Sequence, residues 1–199
     1  MRGALVVPLL AMALVVAGCD EPATPTKGAG GDERDGRVAM AFEEYGFRSE
    51  LPKDVFVCAA LSDTHPHGFF FRIGERYADC DAARAAAAKD RWIAVWADHN
   101  AADYRSLADA HCREIEAADE ALAEVIRKWD RQGVVAARCE EADASQIRVT
   151  AMSAARAGQG GGLPRFTYRF TMASDEAHMG DDLERFAAIL DGVRFSDPG

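Results

Sequence analysis

His65-Pro66-His67, with Asp63 two residues earlier, puts two imidazoles in one tight turn, and neutral histidine is the commonest ligand for divalent metals. Two ligands do not make a metal centre. A third would have to come from elsewhere, and Asp98-His99, closing another apolar run, is the candidate. The plain alternative is a hydrogen-bonded turn leading into a strand, so no metal is expected, and His65, His67 and His99 are the residues to locate. Ser62, Asp63 and His65 are the residue types of a nucleophilic triad, but they crowd into four positions and no Gly-x-Ser-x-Gly elbow accompanies them. The Gly158-Gln-Gly-Gly-Gly162 loop leads into Leu163-Pro164 and a strand. A phosphate cradle needs Lys-Ser/Thr and a helix N-terminus there. His111 falls on the apolar stripe of a helix, where a core histidine bonded to backbone is the ordinary reading. No catalytic residue and no cofactor are expected, and the chain does not read as an enzyme.

The remaining reactive side chain is Cys19. Arg2 supplies a positive start, and Ala4 to Gly18 run uncharged for fifteen residues into Val16-Ala17-Gly18-Cys19. That run is shorter than the roughly 20 residues a helix needs to cross a bilayer, and it has the layout of an export signal. Its end resembles the lipobox of bacterial lipoproteins. The resemblance implies cleavage before Cys19, diacylation of its thiol and acylation of the new amine. Two or more acyl chains anchor stably, whereas one binds only marginally. Asp20, directly after the cysteine, resembles the signal that keeps enteric lipoproteins in the inner membrane, which favours that membrane over the outer one.

Cleavage there removes 18 of the 199 residues and one cation, Arg2, so the net charge of −10 becomes about −11. An acidic body lacks the basic patches that nucleic acid and anionic lipid require. Contact with the membrane is therefore expected only through the lipid. Setting Cys19 aside leaves Cys58, Cys80, Cys112 and Cys139, an even number in an oxidising compartment, so two disulfides are expected. The spacings contain no C-x-x-C pair. If a helix carries Cys112 to about Asp130, it travels about 27 Å, and the next strand returns about 20 Å by Cys139. Cys112–Cys139 is then feasible, with Cys80–Cys112 an equal rival.

These residues must be positioned by a body that starts near Arg37. Residues 19–36 are rich in Pro, Gly and charge and hold almost nothing to bury, which predicts a flexible tether between the signal, 1–18, and a globular domain, 37–199. Alternating or continuous apolar runs predict strands at Val38–Phe42, Phe47–Leu51, Val55–Ala60, Phe69–Ile73, Arg91–Ala97, Val134–Cys139, Gln146–Met152 and Arg165–Met172. Trp92 and Trp96 share one face of theirs, which reads as core first and as a binding hot spot second. Asp81 is placed to cap a short helix over the alanine run 82–88. The longest predicted element is a helix from about Ala101 to Asp130. Its stripe is Tyr104, Leu107, His111, Ile115, Ala118, Leu122, Val125 and Trp129, with Asn100 as N-cap and Asp103 in the capping-box position. A final helix holds Leu183 to Leu190, stopped by Gly192, and Val193–Phe195 adds a short strand.

Strands in hairpin order predict an α+β domain: a mainly antiparallel sheet of about seven strands, with one long helix and one or two shorter ones packed on it. The opening Tyr45-Gly46-Phe47 to Leu51-Pro52 and the closing helix before Arg194-Phe195 resemble the PsbP-type α/β/α sandwich. That resemblance implies fold and carries no function. The polar side of the long helix, with Asp109, Glu116, Asp119, Glu120 and Glu124, is the expected docking surface for a basic protein, because complementary charge speeds encounter. The function expected is therefore binding of a macromolecular partner by an envelope lipoprotein, in its sharpest form an inhibitor or immunity factor against a cell-wall hydrolase or toxin. The alternative is a small-molecule or metal site at the His65/His67 turn, serving a sensor, carrier or enzyme.

Overall fold

A computed structural model describes residues 37–52, 57–58, 68–72, 82, 91–153 and 162–196. Cys19, Asp20, His65, His67 and Cys80 lie outside the described residues, as does the helix expected over 82–88 apart from Ala82.

The chain begins with β1 (Arg37–Phe42), a single 3-10 turn (Glu43–Tyr45) and β2 (Phe47–Pro52). Gly46 makes the reversal at φ 61°, a conformation open to glycine at no steric cost. Next come β3 (Val57–Cys58), β4 (Gly68–Arg72) and β5 (Trp92–His99), followed by the two-residue β6 (Glu114–Ile115). Helix α1 (Glu120–Arg131), β7 (Val135–Cys139), β8 (Gln146–Met152), β9 (Phe166–Ala173), helix α2 (Met179–Asp191) and β10 (Arg194–Phe195) complete the described elements. The fold is α+β and every strand pair is antiparallel. One sheet has the order β3-β4-β5-β9-β8-β7-β6, and a smaller one has β1-β2-β10. Ten strands stand among the described residues, nine of them at segments that the sequence marks as strands, against a single sheet of about seven expected. The β1–β2 hairpin forms its own sheet, and β6 was not foreseen.

The period-2 alternation of β9, Phe166-Thr-Tyr-Arg-Phe-Thr-Met-Ala173, explains the layering. Phe166, Tyr168, Phe170 and Met172 are buried, and with Ile93, Val95 and Ala97 of β5 and Ile147, Val149 and Ala151 of β8 they form one apolar face. Leu122, Val125 and Trp129 of α1, Leu183, Phe186, Ile189 and Leu190 of α2, and Phe47 and Leu51 of β2 close over it as a single core. Trp129 sits 5.0 Å from the Phe170 ring and 5.2 Å, edge-on, from Phe195, offset geometries that aromatic rings favour.

Helix α1 corrects the sequence expectation. It starts at Glu120, with Asp119 as N-cap accepting from the Leu122 amide at 2.7 Å. Residues 101–119 are turns and the short β6. Asp103 and His111, expected in the helix, lie in the left-handed region at φ 55° and 58°, which interrupts any helix. Leu107, Ala110 and Cys112 do bury their apolar side chains, but in a separate small core with Ala137, Cys139 and Met152 on the opposite face of the large sheet. His111 itself is exposed, which corrects its placement on a core stripe.

The disulfide explains why tertiary structure overrides helix propensity here. Cys112 is joined to Cys139, with Cα atoms 4.9 Å apart, and Glu114 pairs directly with Cys139 across β6–β7. Of the two rival pairings it is Cys112–Cys139 that forms, though not by the helical route that suggested it. Cys58 is also disulfide-bonded and fully buried; its partner lies outside the described residues.

Arg91, just before β5, ties the two central strands to α2. Its Nε donates to Asp182 Oδ2 at 2.6 Å, its Nη2 pairs with Oδ1, and Ser174 Oγ, just past β9, donates to Oδ2 at 2.5 Å. Asp182 lies in the first turn of α2, where a carboxylate also meets the positive end of the helix dipole.

Candidate functional site

Side chains alternate across a strand, so the residues between the core positions of β5, β8 and β9 form the other face of the large sheet. The register sets them in rows. Trp96 lies opposite Arg169, and Arg169 lies opposite Thr150; one row on, Asp98 lies opposite Thr167. Trp96, Asp98, Tyr104, Thr150, Thr167 and Arg169 line a cavity of about 30 Å³. That is room for one or two water-sized groups, far below the roughly 300–1,000 Å³ of sites that engulf small molecules.

Each wall has a local cause. Asn100, 9% exposed, ends β5 and fixes the loop beyond it. Its Oδ1 accepts from the Tyr104 amide at 2.9 Å, and its Nδ2 donates to the Tyr104 and Pro164 carbonyls at 2.8 and 2.9 Å. One buried amide thereby satisfies backbone groups on two loops and sets Tyr104 at the rim. Asn100 was expected to cap a helix; it staples a loop instead, using the same talent of a short amide for bonding nearby backbone.

Arg169 stands with its Cζ 5.1 Å from the Trp96 ring centroid, a cation–π stack. Among the described residues it has no hydrogen bond and no carboxylate partner. Burial lowers its pKa from the ordinary value, and the like charge of Arg148 adds to that, against the opposing pull of Asp98 and Glu141. Arg148, on the same face, differs because it is paired with Glu141. Thr171, buried on this face two residues along β9, has a hydroxyl with no hydrogen-bond partner among the described residues.

Of the expected metal candidates His65, His67 and His99, only His99 lies among the described residues, and it does not line the cavity. Asp98 and His99 are consecutive on a strand and face opposite ways. Asp98 lines the cavity, whereas His99 lies 5.1 Å from the Tyr45 ring and 5.3 Å from Phe166 on the core side. His99 Nε2 is 3.9 Å from Glu44 Oε1. Among the described residues no group of three or more His, Cys, Asp or Glu side chains is placed to hold a metal. Gly68, which directly follows His67 in sequence, pairs with Trp96.

The acidic residues expected on one helical face are dispersed. Only Glu120 and Glu124 lie on α1, and Asp119 caps it. Glu120 pairs with Arg127 at 2.5 Å, while Glu124 takes Arg127 at 3.0 Å and Arg131 at 2.8 Å. The hydrogen bonds from Arg131, then Arg127, hold the Glu124 carboxyl below its ordinary range. Asp109 accepts from the Arg105 amide at 2.9 Å within its own loop, and the Glu116 carbonyl accepts from Arg138 at 3.0 Å. The helix surface is a balanced ladder of charges, so the single acidic face is corrected.

The Trp92/Trp96 face was legible from alternation, but Arg169 was missed. Its signal was there: a lone arginine between two threonines on the polar side of an otherwise aromatic strand. The register that brings it onto Trp96 was not.

No family model matches the chain, and no curated protein matches it. Among solved structures, the solution structure of cyanobacterial PsbP (CyanoP) from Synechocystis sp. PCC 6803 is similar over 86% of this chain and 99% of its own, at 10% identity and a TM-score of 0.39. This is the fold type that the opening and closing motifs resemble, and at that TM-score the likeness carries no argument about function.

Proposed function

We propose that this chain is a lipid-anchored protein of the bacterial envelope, held through Cys19 and retained at the inner membrane by Asp20, that binds a macromolecular partner without catalysis. The observation that carries the binding reading is the Trp96–Arg169 stack in the wall of a cavity of about 30 Å³, which suits the tip of a side chain and not a whole small molecule. Tryptophan and arginine are the residue types that dominate binding hot spots. The Cys112–Cys139 disulfide accords with an oxidising compartment. Among the described residues no helix is long and apolar enough to cross a membrane; the anchor in this reading is the acylated cysteine of the lipobox-like Val16-Ala17-Gly18-Cys19. The acidic body, about −11 once the signal is removed, suits a basic partner. An inhibitor or immunity factor against a cell-wall hydrolase or toxin is the sharpest form of the proposal.

The test uses the native, acylated protein extracted in detergent. Partner capture is expected to fall with added salt and to be lost on Trp96→Ala with folding intact. Cys19→Ala is expected to release the protein from membrane fractions. Capture indifferent to both salt and Trp96 refutes the surface, and membrane retention of Cys19→Ala refutes the anchor.

A further inference from the structure

An arginine that is partly buried, stacked on an aromatic ring and without a carboxylate partner among the described residues is unusual in so acidic a protein. Fully buried charges are almost always paired, and Arg148 on the same face obeys that rule through Glu141. Among the described residues nothing bonds the N–H groups of Arg169, which lines a cavity of about 30 Å³. Its Cζ lies over the Trp96 ring, 5.1 Å from the centroid, and a guanidinium that stacks through its face keeps its N–H edge for bidentate recognition of a carboxylate. Thr150 and Thr167 add hydroxyls to the wall, and the buried Thr171 hydroxyl on this face is a second polar group without a partner among the described residues.

We infer that the Arg169 cleft receives a carboxylate, presented as the side chain of an Asp or Glu on the partner protein. A recess of about 30 Å³ takes only the carboxylate group, which Asp and Glu side chains present across a protein surface whereas a chain has a single C-terminus. The inference rests on the partner-binding reading above and names the chemistry of that face. Asp98 shapes the specificity. It sits diagonally from Arg169 across the β5–β9 register, roughly 7–8 Å away for such positions, without pairing with it. A negative charge there opposes an incoming carboxylate, so it admits an anion only where Arg169 can bond it directly.

The experiment titrates the full protein with N-acetyl-glutamate amide, whose only charge is its side-chain carboxylate, and with the glutamine counterpart. Trp96 fluorescence is followed, with Trp96→Phe as the control for its origin. Saturable binding in the roughly millimolar range is expected for glutamate, a range typical of a single small contact group. Glutamine should be at least about tenfold weaker, because a hydrogen bond to a charged group is worth more than a neutral one. Arg169→Gln is expected to abolish the change and Arg169→Lys to weaken it several-fold through loss of the planar fork. Asp98→Asn should tighten it several-fold by removing a like charge. Thermal melting reports whether each variant folds. If Arg169→Gln does not, the opposite shifts of Arg169→Lys and Asp98→Asn carry the test. Equal binding of glutamate and glutamine, or no shift in either conservative variant, overturns the assignment. If those probes fail while partner capture still needs Trp96, this inference falls and the partner-binding reading stands.

Discussion

Asp182 is 1% exposed on its side chain, and Arg91, its bidentate partner, is 24% exposed. That asymmetry makes a directional prediction. Arg91→Met leaves a carboxylate sealed in the core with only the Ser174 hydroxyl to bond it. Asp182→Ala leaves an arginine whose head can turn toward water. Removing one member of a buried pair costs about 3–5 kcal/mol because the survivor is uncompensated. The full cost is expected for Arg91→Met, and about 1–3 kcal/mol for Asp182→Ala, where solvent screens the remaining charge. For a chain of this size, 1 kcal/mol moves Tm by about 2–4 °C, so Arg91→Met should lose about 6–20 °C and Asp182→Ala clearly less. The double variant Arg91→Met/Asp182→Leu, which seals no charge, should recover most of the Arg91→Met loss. Urea titrations followed by tryptophan fluorescence give the free energies. If Asp182→Ala is as damaging as Arg91→Met, or the double variant is additive, the reasoning from the buried carboxylate is wrong.

Peptide mapping without reduction should recover Cys112 and Cys139 joined, and replacing both by Ala should cost about 3–4 kcal/mol by the loop-entropy relation for a separation of 27 residues. Asn100→Ala should cost about 1–3 kcal/mol, since it strips partners from the Tyr104 amide and from two carbonyls; hydrogen exchange should show the Tyr104 amide unprotected, and an amide still protected refutes the staple. Burial first, then Glu44 and Asp98, push the Tyr45 phenol up from 10.0 to about 12. Its contribution to stability is therefore whole below pH 10 and lost as pH climbs toward 12, because the unfolded chain ionises first. Urea midpoints should drop between pH 9 and pH 11, by less in Tyr45→Phe; burial raises Tyr168 as well, so the drop should not vanish in that variant.

Sequence alone determined those elements whose pattern is local. Alternation in Phe166–Met172 and Ile147–Ala151 predicted strands, because the side-chain period of a strand is two whatever its neighbours. The breaks at Gly46 and Gly192 were legible for the same local reason, and so was the shared face of Trp92 and Trp96. Residues 101–119 were misread because apolar spacing of three and four also suits a folded-back loop, provided something distant holds it. That something was the disulfide to Cys139 and the Asn100 amide reaching Pro164, 64 residues away. The acidic helical face dissolved along with the helix. Tertiary structure decided the site as well. Arg169 meets Trp96, and Arg91 meets Asp182, across strand register and helix packing that no local periodicity encodes, since which strands become neighbours is settled only when the whole apolar face finds its cover.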